Sequence, residues 1–405
     1  MIKRTAKFSF MEQWKEYKLE ETTDFVAGFA FKSKHFGIYK DKVVKIKDIQ
    51  PPIVSLESTE GVDLSKYDKV KLNKYIVKQN DFLLAMTGAT IGKIGKYMND
   101  KPAYINQRVL KFIPKQEFDF DFIYYSLLST NFQRYINNHI DSDSAQPNIS
   151  ASTIGKYTFK APCRKTQHLI ATILKSLDDK IELNRRINDN LEQQAQALFN
   201  HYFIENTESL GEYEEVSLLD IATYTNGLAM QKYRPSENET SFLPVLKIKE
   251  LGQGFTDSNS DICTYNIPNI YIINSGDIIF SWSGTLMVRI WCGEMVGLNQ
   301  HLFKVSSDSY EKWFYYFWTK YHLRKFINIA NDKAVTMGHI RREDLAKSKV
   351  ILPNHTTLQN LNKIFSPILD SIINNEIESK RQSQLRDTLL PRLMSGELKI
   401  NDLNC

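Results

Sequence analysis

Apolar residues in the middle of the chain recur in alternating steps of four and three. The series contains Ile170, Leu174, Leu177, Ile181, Asn184, Asn188, Leu191, Ala195, Leu198 and Tyr202. This is the a/d pattern of a coiled-coil seam, in which buried asparagines fix the register at some cost in stability. Because no glycine or proline occurs between Pro162 and Gly211, the pattern predicts one helix from Thr166 to Tyr202, 37 residues and about 55 Å long.

A second periodic stretch near the C-terminus is the predicted partner of this helix. It begins with Leu361, Phe365, Ile368 and Ile372. Pro367 interrupts it, which predicts a kink or a late helix start. The apolar steps weaken from Asn375 to Gln384, so tight pairing is least expected there, and Gly396 is the predicted stop. The two helices are expected to form an antiparallel coiled coil with one globular domain at each end.

The segments that precede the two helices match each other in order. WKEYKLEETTDFVAGFAFKS is similar to GEYEEVSLLDIATYTNGLAMQK, which aligns Gly28 with Gly227. YIVKQNDFLLAMTGAT is similar to YIINSGDIIFSWSGTL, and INQRVLKFIP to LNQHLFKVSS, which aligns Asn106 with Asn299. A shared order over half the chain indicates a duplicated unit, with a period far longer than that of a solenoid repeat.

Each repeat combines short strands with helical segments. Runs such as KVVKI, KYIVK and RVLKFI are bounded by turn residues and predict strands, and helices are expected around Asp121 to Asn137 and Glu311 to Asn328. The predicted fold class is therefore α+β, with two pseudo-repeated mixed α/β domains separated by two long helices. The predicted segments are 1–160 for the first domain, 161–210 for the central helix, 211–353 for the second domain and 354–405 for the C-terminal helix.

The composition is that of an ordinary globular protein, and its cysteines are expected to be reduced. The 405 residues carry 52 Lys and Arg against 47 Asp and Glu, a net charge of +5, which permits local nucleic-acid binding patches without requiring them. The four cysteines are widely spaced, with no C-x-x-C pair, so thiols are expected rather than disulfides or a zinc knuckle. No signal peptide or membrane helix is expected, which predicts a cytoplasmic location.

Over essentially its full length the chain resembles a type I restriction–modification specificity subunit. LKSLDDKIELNRRINDNLEQQAQALF resembles the central helical region of that family, and LRDTLLPRLMSGEL its C-terminal helix. QPNISASTIGKYTFKAP resembles the end of a target recognition domain. The resemblance implies two target recognition domains, each reading half of a bipartite site on double-stranded DNA. The helices would then act as a spacer.

The resemblance also implies the partners. Two methyltransferase subunits would dock on the helices, two restriction subunits would join the complex, and no membrane would be involved. The chain itself would be non-catalytic and hold no cofactor or metal, with S-adenosylmethionine, ATP and Mg²⁺ on the partner subunits.

The lack of known catalytic motifs agrees with this interpretation. The chain contains no H-E-x-x-H, G-x-S-x-G, G-x-G-x-x-G or N/D-P-P-Y/F sequence. The stretch from Gly88 to Ile94, GATIGKI, is one residue short of a phosphate-binding loop and ends in Ile instead of Ser or Thr. A turn between two strands is the preferred interpretation of that stretch.

DNA contacts are expected from basic and polar residues in loops, because Lys binds phosphates while Arg, Asn and Gln can also pair with base edges. Candidates in the first domain are Lys32, Lys34, Thr87, Thr90, Lys93, Lys96, Arg108, Ser144, Gln146 and Asn148. Candidates in the second domain are Gln231, Lys232, Arg234, Arg289, His301, Lys333, Thr336, Arg341 and Arg342. Each residue taken alone is more often a solvated surface group than a base contact.

Two other functions stay open at this point. A coiled-coil adaptor could use duplicated domains to bind proteins. A nuclease or methyltransferase could carry an active site that no motif search recognises. Steep salt dependence of DNA binding would distinguish a specificity subunit from the adaptor, and an assay for turnover by the chain alone would distinguish it from the enzyme.

Overall fold

The computed structural model describes residues 14–141, 147–332 and 340–398. The chain forms two compact units, Met1–Asp178 with Gln384–Cys405, and Asp179–Ser383. They are called unit 1 and unit 2. Because each long helix contributes residues to both units, the two units do not coincide with the predicted separation into globular domains and helices.

Unit 1 is a mixed α/β domain built from short strands. The strands are β1 Lys15–Lys18, β2 Thr23–Ala27, β3 Phe36–Val44, β4 Ile49–Gln50, β5 Ile53–Val54, β6 Gly61–Val62, β7 Ile76–Val77, β8 Phe82–Ala85, β9 Ile94–Lys96, β10 Ala103–Ile105, β11 Val109–Pro114 and β12 Thr158–Ala161. The helices are α1 Leu19–Thr22, α2 Lys69–Leu72, α3 Phe120–Leu128, α4 Thr130–Asn138, α5 Ala151–Gly155 and α6 Arg164–Asn200.

The described strands of unit 1 form three sheets. One sheet has the order β2-β11-β8-β9-β5-β4, a second has the order β6-β3-β10-β7, and β1 pairs with β12. The stretch from Gly88 to Ile94 forms a short 3-10 turn, Gly88–Thr90, between the antiparallel strands β8 and β9. The expected turn between two strands is thus confirmed for the sequence that resembles a phosphate-binding loop.

The helix predicted around Asp121 to Asn137 is two helices, which corrects that prediction. Ser129 adopts an extended conformation with ψ of 149° and ends α3. Its hydroxyl oxygen accepts a hydrogen bond from the Phe132 backbone N–H at 3.3 Å and caps α4. Serine favours this capping position because its side chain replaces a hydrogen bond that the helix backbone cannot make.

Unit 2 repeats this plan. Its strands are β13 Tyr213–Ser217, β14 Thr223–Asn226, β15 Phe242–Leu246, β16 Ile262–Thr264, β17 Ile272–Ile273, β18 Asp277–Ser281, β19 Met287–Trp291, β20 Val296–Leu298, β21 Leu302–Ser306 and β22 Lys349–Pro353. Its helices are α7 Leu218–Ile221, α8 Ile248–Gln253, α9 Lys312–Asp332, α10 Arg342–Ala346 and α11 His355–Met394. The sheets β16-β15-β20-β17 and β13-β22 match β6-β3-β10-β7 and β1-β12 of unit 1. The sheet β14-β21-β18-β19 matches the first four strands, β2-β11-β8-β9, of the six-stranded sheet of unit 1, which also contains β5 and β4.

Individual contacts also repeat between the units. The Lys111 ammonium donates to the Ile76 carbonyl at 2.6 Å, and the Lys304 ammonium donates to the Ile272 carbonyl at 3.5 Å. Lys304 also forms an ion pair with Asp277 at 2.8 Å. The duplication inferred from the sequence is therefore visible in both topology and side-chain contacts.

Both long helices are continuous. Helix α6 has 37 residues and is followed by a π-helical turn, His201–Glu205, while α11 has 40 residues. Helix α11 begins twelve residues before Pro367, so the predicted late start at this proline is wrong. Buried Leu361, Phe365 and Leu369 hold this part of α11 against the core of unit 2, and such packing offsets the helix hydrogen bond that proline removes.

In unit 1 the beginning of α6 lies antiparallel to the end of α11. Ile170, Leu174 and Leu393 are buried together in the core that also contains α3 and β11. Asp178 lies one helical turn beyond Leu174. One oxygen of its carboxylate accepts from the Arg386 guanidinium at 2.7 Å, and the other accepts from the Tyr125 hydroxyl at 2.6 Å. Apolar packing and a partly buried ion pair therefore hold the helices together here.

In unit 2 the middle of the helix pair is polar. The Asn188 side-chain N–H donates to the Ile372 carbonyl at 3.0 Å, and the Asn375 side chain donates back to Asn188 at 2.9 Å. Asn184 donates to Glu378 at 2.8 Å, and Lys180 forms an ion pair with the same carboxylate at 3.1 Å. The apolar pattern weakens after Asn375 because hydrogen bonds replace apolar contacts at this part of the interface.

The predicted seam residues differ in their degree of burial. Ile170, Leu174, Asn184, Ala195, Leu361, Phe365 and Ile372 are buried. Leu177, Ile181, Asn188, Leu191, Leu198 and Ile368 are half-buried. The seam is therefore tightest where the helices also pack on a globular core, as at Leu174 in unit 1 and Phe365 in unit 2.

Candidate functional site

Backbone hydrogen bonds bring three separate candidate segments of unit 1 together. The Met86 N–H donates to the Arg108 carbonyl at 3.0 Å, and the Ile149 N–H donates to the Met86 carbonyl at 3.0 Å. The Gly88 N–H donates to the Pro147 carbonyl at 3.1 Å. We call residues 86–93, 106–108 and 147–149 the first rim.

The first rim carries basic and polar groups on a rigid framework. Lys93 and Arg108 are exposed, while Thr90 and Asn148 are half-buried. The loops are attached to buried strands, since residues 86–93 follow β8, residues 106–108 precede β11, and both strands contribute to the unit 1 cores. Exposed cations on a fixed backbone can bind an extended anion such as a phosphate chain.

Two predicted contacts in this region are corrected. Thr87 is only 3% exposed, so its hydroxyl cannot reach an external ligand. The Lys96 ammonium forms an ion pair with Asp121 at 2.6 Å and lies 4.3 Å from the centre of the Tyr124 ring. Lys96 therefore stabilises the fold, and neither the Thr87 nor the Lys96 side chain is available to an external ligand.

Lys32 and Lys34 lie on a turn that adjoins the first rim through Phe29. Both lysines are exposed around the 3-10 turn Ser33–His35. The Tyr67 hydroxyl holds this turn, since it accepts from the Lys32 backbone N–H at 2.9 Å and bonds His35 Nδ1 at 2.8 Å. The chain before this turn is fixed beside the first rim, because the Phe29 N–H donates to the carbonyl of Ile105, the residue before the 106–108 segment, at 2.9 Å.

Unit 2 repeats the backbone of the first rim. The Ile340 N–H donates to the Trp282 carbonyl at 3.1 Å, as Ile149 does to Met86. The Gly227 N–H donates to the Leu302 carbonyl at 3.0 Å, as Gly28 does to Val109 at 2.9 Å. We call residues 282–287, 299–301 and 340–342 the second rim.

The second rim presents different side chains on this framework. Arg341 and Arg342 are exposed at the start of α10, and His301 is half-buried. Arg289 is exposed but lies outside this rim, because it pairs with Ile279 of β18 and donates to the Gly252 carbonyl at 3.0 Å. Gln231, Lys232 and Arg234 are exposed in a separate segment at and after the 3-10 turn Met230–Lys232.

Trp282 and Asn226 are not among the residues predicted from the sequence. The Trp282 indole N–H donates to the Asn226 side-chain oxygen at 3.0 Å, and its ring lies 6.1 Å from that of His301. The repeat alignment pairs Trp282 with Met86, which is buried, whereas Trp282 is half-buried. The sequence signal for this pair was a tryptophan in the second repeat at the position that Met86 occupies in the first.

Four candidates cannot be located. Ser144, Gln146, Lys333 and Thr336 lie outside the described residues. Ser144 and Gln146 precede Pro147 of the first rim, and Lys333 and Thr336 precede Ile340 of the second. These four positions stay predictions.

The buried thiols are weak nucleophiles at neutral pH. Burial raises the pKa of Cys263 to about 11 and that of Cys292 to about 11. A thiol with such a pKa carries little thiolate, which is the reactive form. In the described part of the chain, no group of three or more His, Cys, Asp or Glu could hold a metal ion, and no helix is long and apolar enough to cross a membrane.

Comparisons with known proteins identify both repeats. The family model for the type I restriction modification DNA specificity domain matches residues 11–193 and again 211–387. The specificity subunit of the type I restriction enzyme MjaIX from Methanocaldococcus jannaschii is 26% identical over 345 residues, covering 79% of this chain and 78% of that protein. The HindI specificity subunit from Haemophilus influenzae is 23% identical over 355 residues, covering 69% and 77%.

A solved structure shares the fold. The crystal structure of the type I restriction–modification S subunit from M. genitalium matches with a TM-score of 0.56 at 15% identity, covering 96% of this chain and 97% of that one. The family match extends over both repeats and most of both long helices. The chain therefore belongs to the specificity subunits of type I restriction–modification systems, which are the non-catalytic members of those systems.

Proposed function

We propose that the chain selects the DNA sequence for such a system, with the first rim reading one half of a bipartite site and the second rim the other half. One observation carries this proposal: the two rims share a backbone framework and differ in side chains. Arg108 aligns with His301, and Met86 with Trp282. A duplicated framework with different loops is suited to reading two different short sequences in one duplex.

The side-chain chemistry fits the edges and phosphates of DNA. The guanidinium fork of Arg108 or Arg341 can bond O6 and N7 of guanine together, and the amide of Asn148 can bond N6 and N7 of adenine. Lys32, Lys34 and Lys93 supply charge for phosphates. Neutralised phosphates release counterions, so binding should weaken steeply as salt rises.

The helices are proposed to act as spacer and docking surface. Leu183 and Ile187 on α6, and Ile364 and Leu385 on α11, are exposed by 51%, 39%, 39% and 47%. Exposed apolar side chains on paired helices support binding of partner proteins. Two methyltransferase subunits would dock there, and two restriction subunits would join them. The assembly would act on cytoplasmic DNA, and its partners would bind S-adenosylmethionine, ATP and Mg²⁺.

The test is to sequence methylated motifs in cells that carry the complete system. Arg108→Ala should alter or relax one half of the motif, and His301→Ala only the other half. Arg134→Ala on α4 and Arg324→Ala on α9 are matched controls, since both side chains are exposed and neither residue belongs to a rim, and they should leave the motif unchanged. A change in both halves from either rim variant would contradict independent reading.

A further inference from the structure

Strand β3 contains an excursion that leaves the sheet. Gly37 and Lys42 both pair with Gly61 of β6, so the four residues between them project out of the ladder. Ile38 in this excursion is 105% exposed, as accessible as in an extended chain, and Tyr39 is 44% exposed. Extra residues in a strand commonly serve to direct a side chain outward.

The base of the excursion is held firmly although its tip is free of packing. The backbone of Tyr39 lies so close to Gly61 that a Cβ atom would overlap it. The Tyr39 ring lies about 3.2 Å from the position that a Cβ atom of Gly37 would occupy. The Lys42 ammonium donates to the Thr59 carbonyl at 2.9 Å. Ile38 is thus presented on an anchored support.

The second repeat shows that the framework does not require this feature. Strand β15 occupies the place of β3, between β16 and β20. It pairs with β16 without interruption, Phe242 with Thr264, Leu243 with Cys263 and Pro244 with Ile262. The excursion is therefore specific to unit 1, which points to a role in the function of that unit alone.

Lysines surround the exposed apolar tip. Residues 32–47 contain six lysines and one aspartate. Lys45 forms an ion pair with Glu60, and Lys42 is engaged with Thr59. Within the ranges the structure describes, Lys32, Lys34 and Lys40 form no ion pair and are exposed. An apolar tip among free cations fits the apolar base stack and anionic phosphates of DNA better than it fits a protein surface.

We infer that Ile38 inserts between adjacent base pairs of the duplex beside the first half-site, while Lys32, Lys34 and Lys40 hold the flanking phosphates. This inference rests on the proposed DNA-reading function. Aliphatic side chains that enter a base step unstack it and kink the duplex. Because pyrimidine–purine steps unstack most easily, the wedge would select a deformable step at a position where no base edge is read.

The experiment uses the chain assembled with its methyltransferase subunits and duplexes that carry the cognate site. A fluorescent base, 2-aminopurine, is moved through each step in and beside the first half-site. The expected result is a fluorescence increase at one step with the wild-type complex, because the probe brightens when it is unstacked. Ile38→Ala should abolish that increase, and Ile38→Leu should retain most of it.

Affinity supplies the second readout. Ile38→Ala should weaken binding to the cognate duplex about tenfold, the effect of losing about 1.4 kcal/mol, and a mismatch at the unstacked step should recover much of the loss. Val70→Ala is the matched control. Val70 is 78% exposed and stands between Lys69 and Lys71, but it lies on α2 instead of an excursion. This control should change neither readout.

Three results would overturn the inference. Ile38→Ala could keep wild-type affinity and step fluorescence, Val70→Ala could weaken binding equally, or Ile38→Ala could impair only assembly with the partner subunits. The last result would identify a protein-docking surface. None of these three results would contradict the proposal that the chain reads the half-sites. Absence of any specific binding by the wild-type complex would instead contradict the proposed function itself.

Discussion

Gly28 and Asn106 are in direct backbone contact: the Asn106 carbonyl occupies the space where a Cβ atom of residue 28 would stand. Gly227 and Asn299 make the same contact in unit 2. Both contacts lie beside a rim, because residues 106–108 and 299–301 carry Arg108 and His301. A glycine at this position of each repeat lets the β2 or β14 segment approach the loop that presents these side chains.

Substitution of either glycine should damage its own unit. Gly28→Ala and Gly227→Ala should each lower the free energy of unfolding by about 3 kcal/mol, because a backbone carbonyl cannot move aside without disrupting its neighbours. The control is Gly252→Ala in α8, where a Cβ atom would meet only the Met287 methyl carbon at 3.7 Å. Urea unfolding should show the loss for the two variants and none for the control.

The partly buried network around Asp178 should stabilise unit 1. Arg386→Leu leaves the Asp178 carboxylate without its cation and should cost about 3 kcal/mol, whereas Tyr125→Phe removes one hydrogen bond to a charged group and should cost about 2 kcal/mol. A double-mutant cycle between Tyr125→Phe and Asp178→Leu, which leaves no acceptor for the hydroxyl, should give a coupling above the error when measured by urea unfolding. Strictly additive effects would show that the contact contributes nothing.

Stability should fall in mild acid because of His322. Burial lowers the pKa of His322 from its ordinary value of 6.5, although Nε2–H donates to the Lys349 carbonyl at 2.8 Å, and nearby Lys325 lowers it further. The unfolded chain then binds a proton that the folded chain excludes. The contribution of His322 is therefore complete above pH 6.5 and is lost as the pH falls below that value.

His322→Gln tests this source of pH dependence, since the amide can still donate to the Lys349 carbonyl and does not titrate. Urea unfolding of the variant should depend less on pH between 7.5 and 5.5 than that of the wild type. His139→Gln is a control on an exposed histidine and should leave the wild-type dependence unchanged. Identical profiles for wild type and His322→Gln would assign the acid sensitivity to other groups.

If the helix pair is the spacer, its length should set the distance between half-sites. Four residues inserted after Asp179 and after Gln382 would lengthen both helices by about 6 Å and rotate them by about 40°. Two base pairs add about 7 Å and about 70° in the same sense. The unspecified spacer should therefore grow by about two base pairs, while both half-site sequences stay the same, as read from methylated motifs in cells.

Insertion into α6 alone provides the control for this experiment. It would shift Asn184 and Asn188 relative to Asn375 and Glu378, whose hydrogen bonds set the register in unit 2. Specific methylation should then be lost. A double-insertion variant that remains active on the original spacer would show that the helices do not determine the distance.

Local sequence determined the long helices and the duplication. Helix α6 contains no glycine or proline, and its apolar spacing is a short-range property. Pro367 is different, because a proline in isolation predicts interruption. Whether the helix continues depends on the packing of Phe365 and Leu369 against Trp313 and Phe317, residues about fifty positions earlier. The break at Ser129 has a local cause instead, because the hydroxyl oxygen of this serine caps α4.

The sequence predicted which types of residue would form the candidate site, but not which individual residues belong to it. Lys93 and Lys96 are three residues apart and look alike in the sequence, yet one is exposed and the other is paired with Asp121 across the fold. Arg108 and Asn148 became neighbours of the 86–93 loop only through strand pairing. Charge and hydrogen-bonding capacity are properties of a side chain, whereas exposure and proximity depend on distant segments, so only the tertiary structure could decide them.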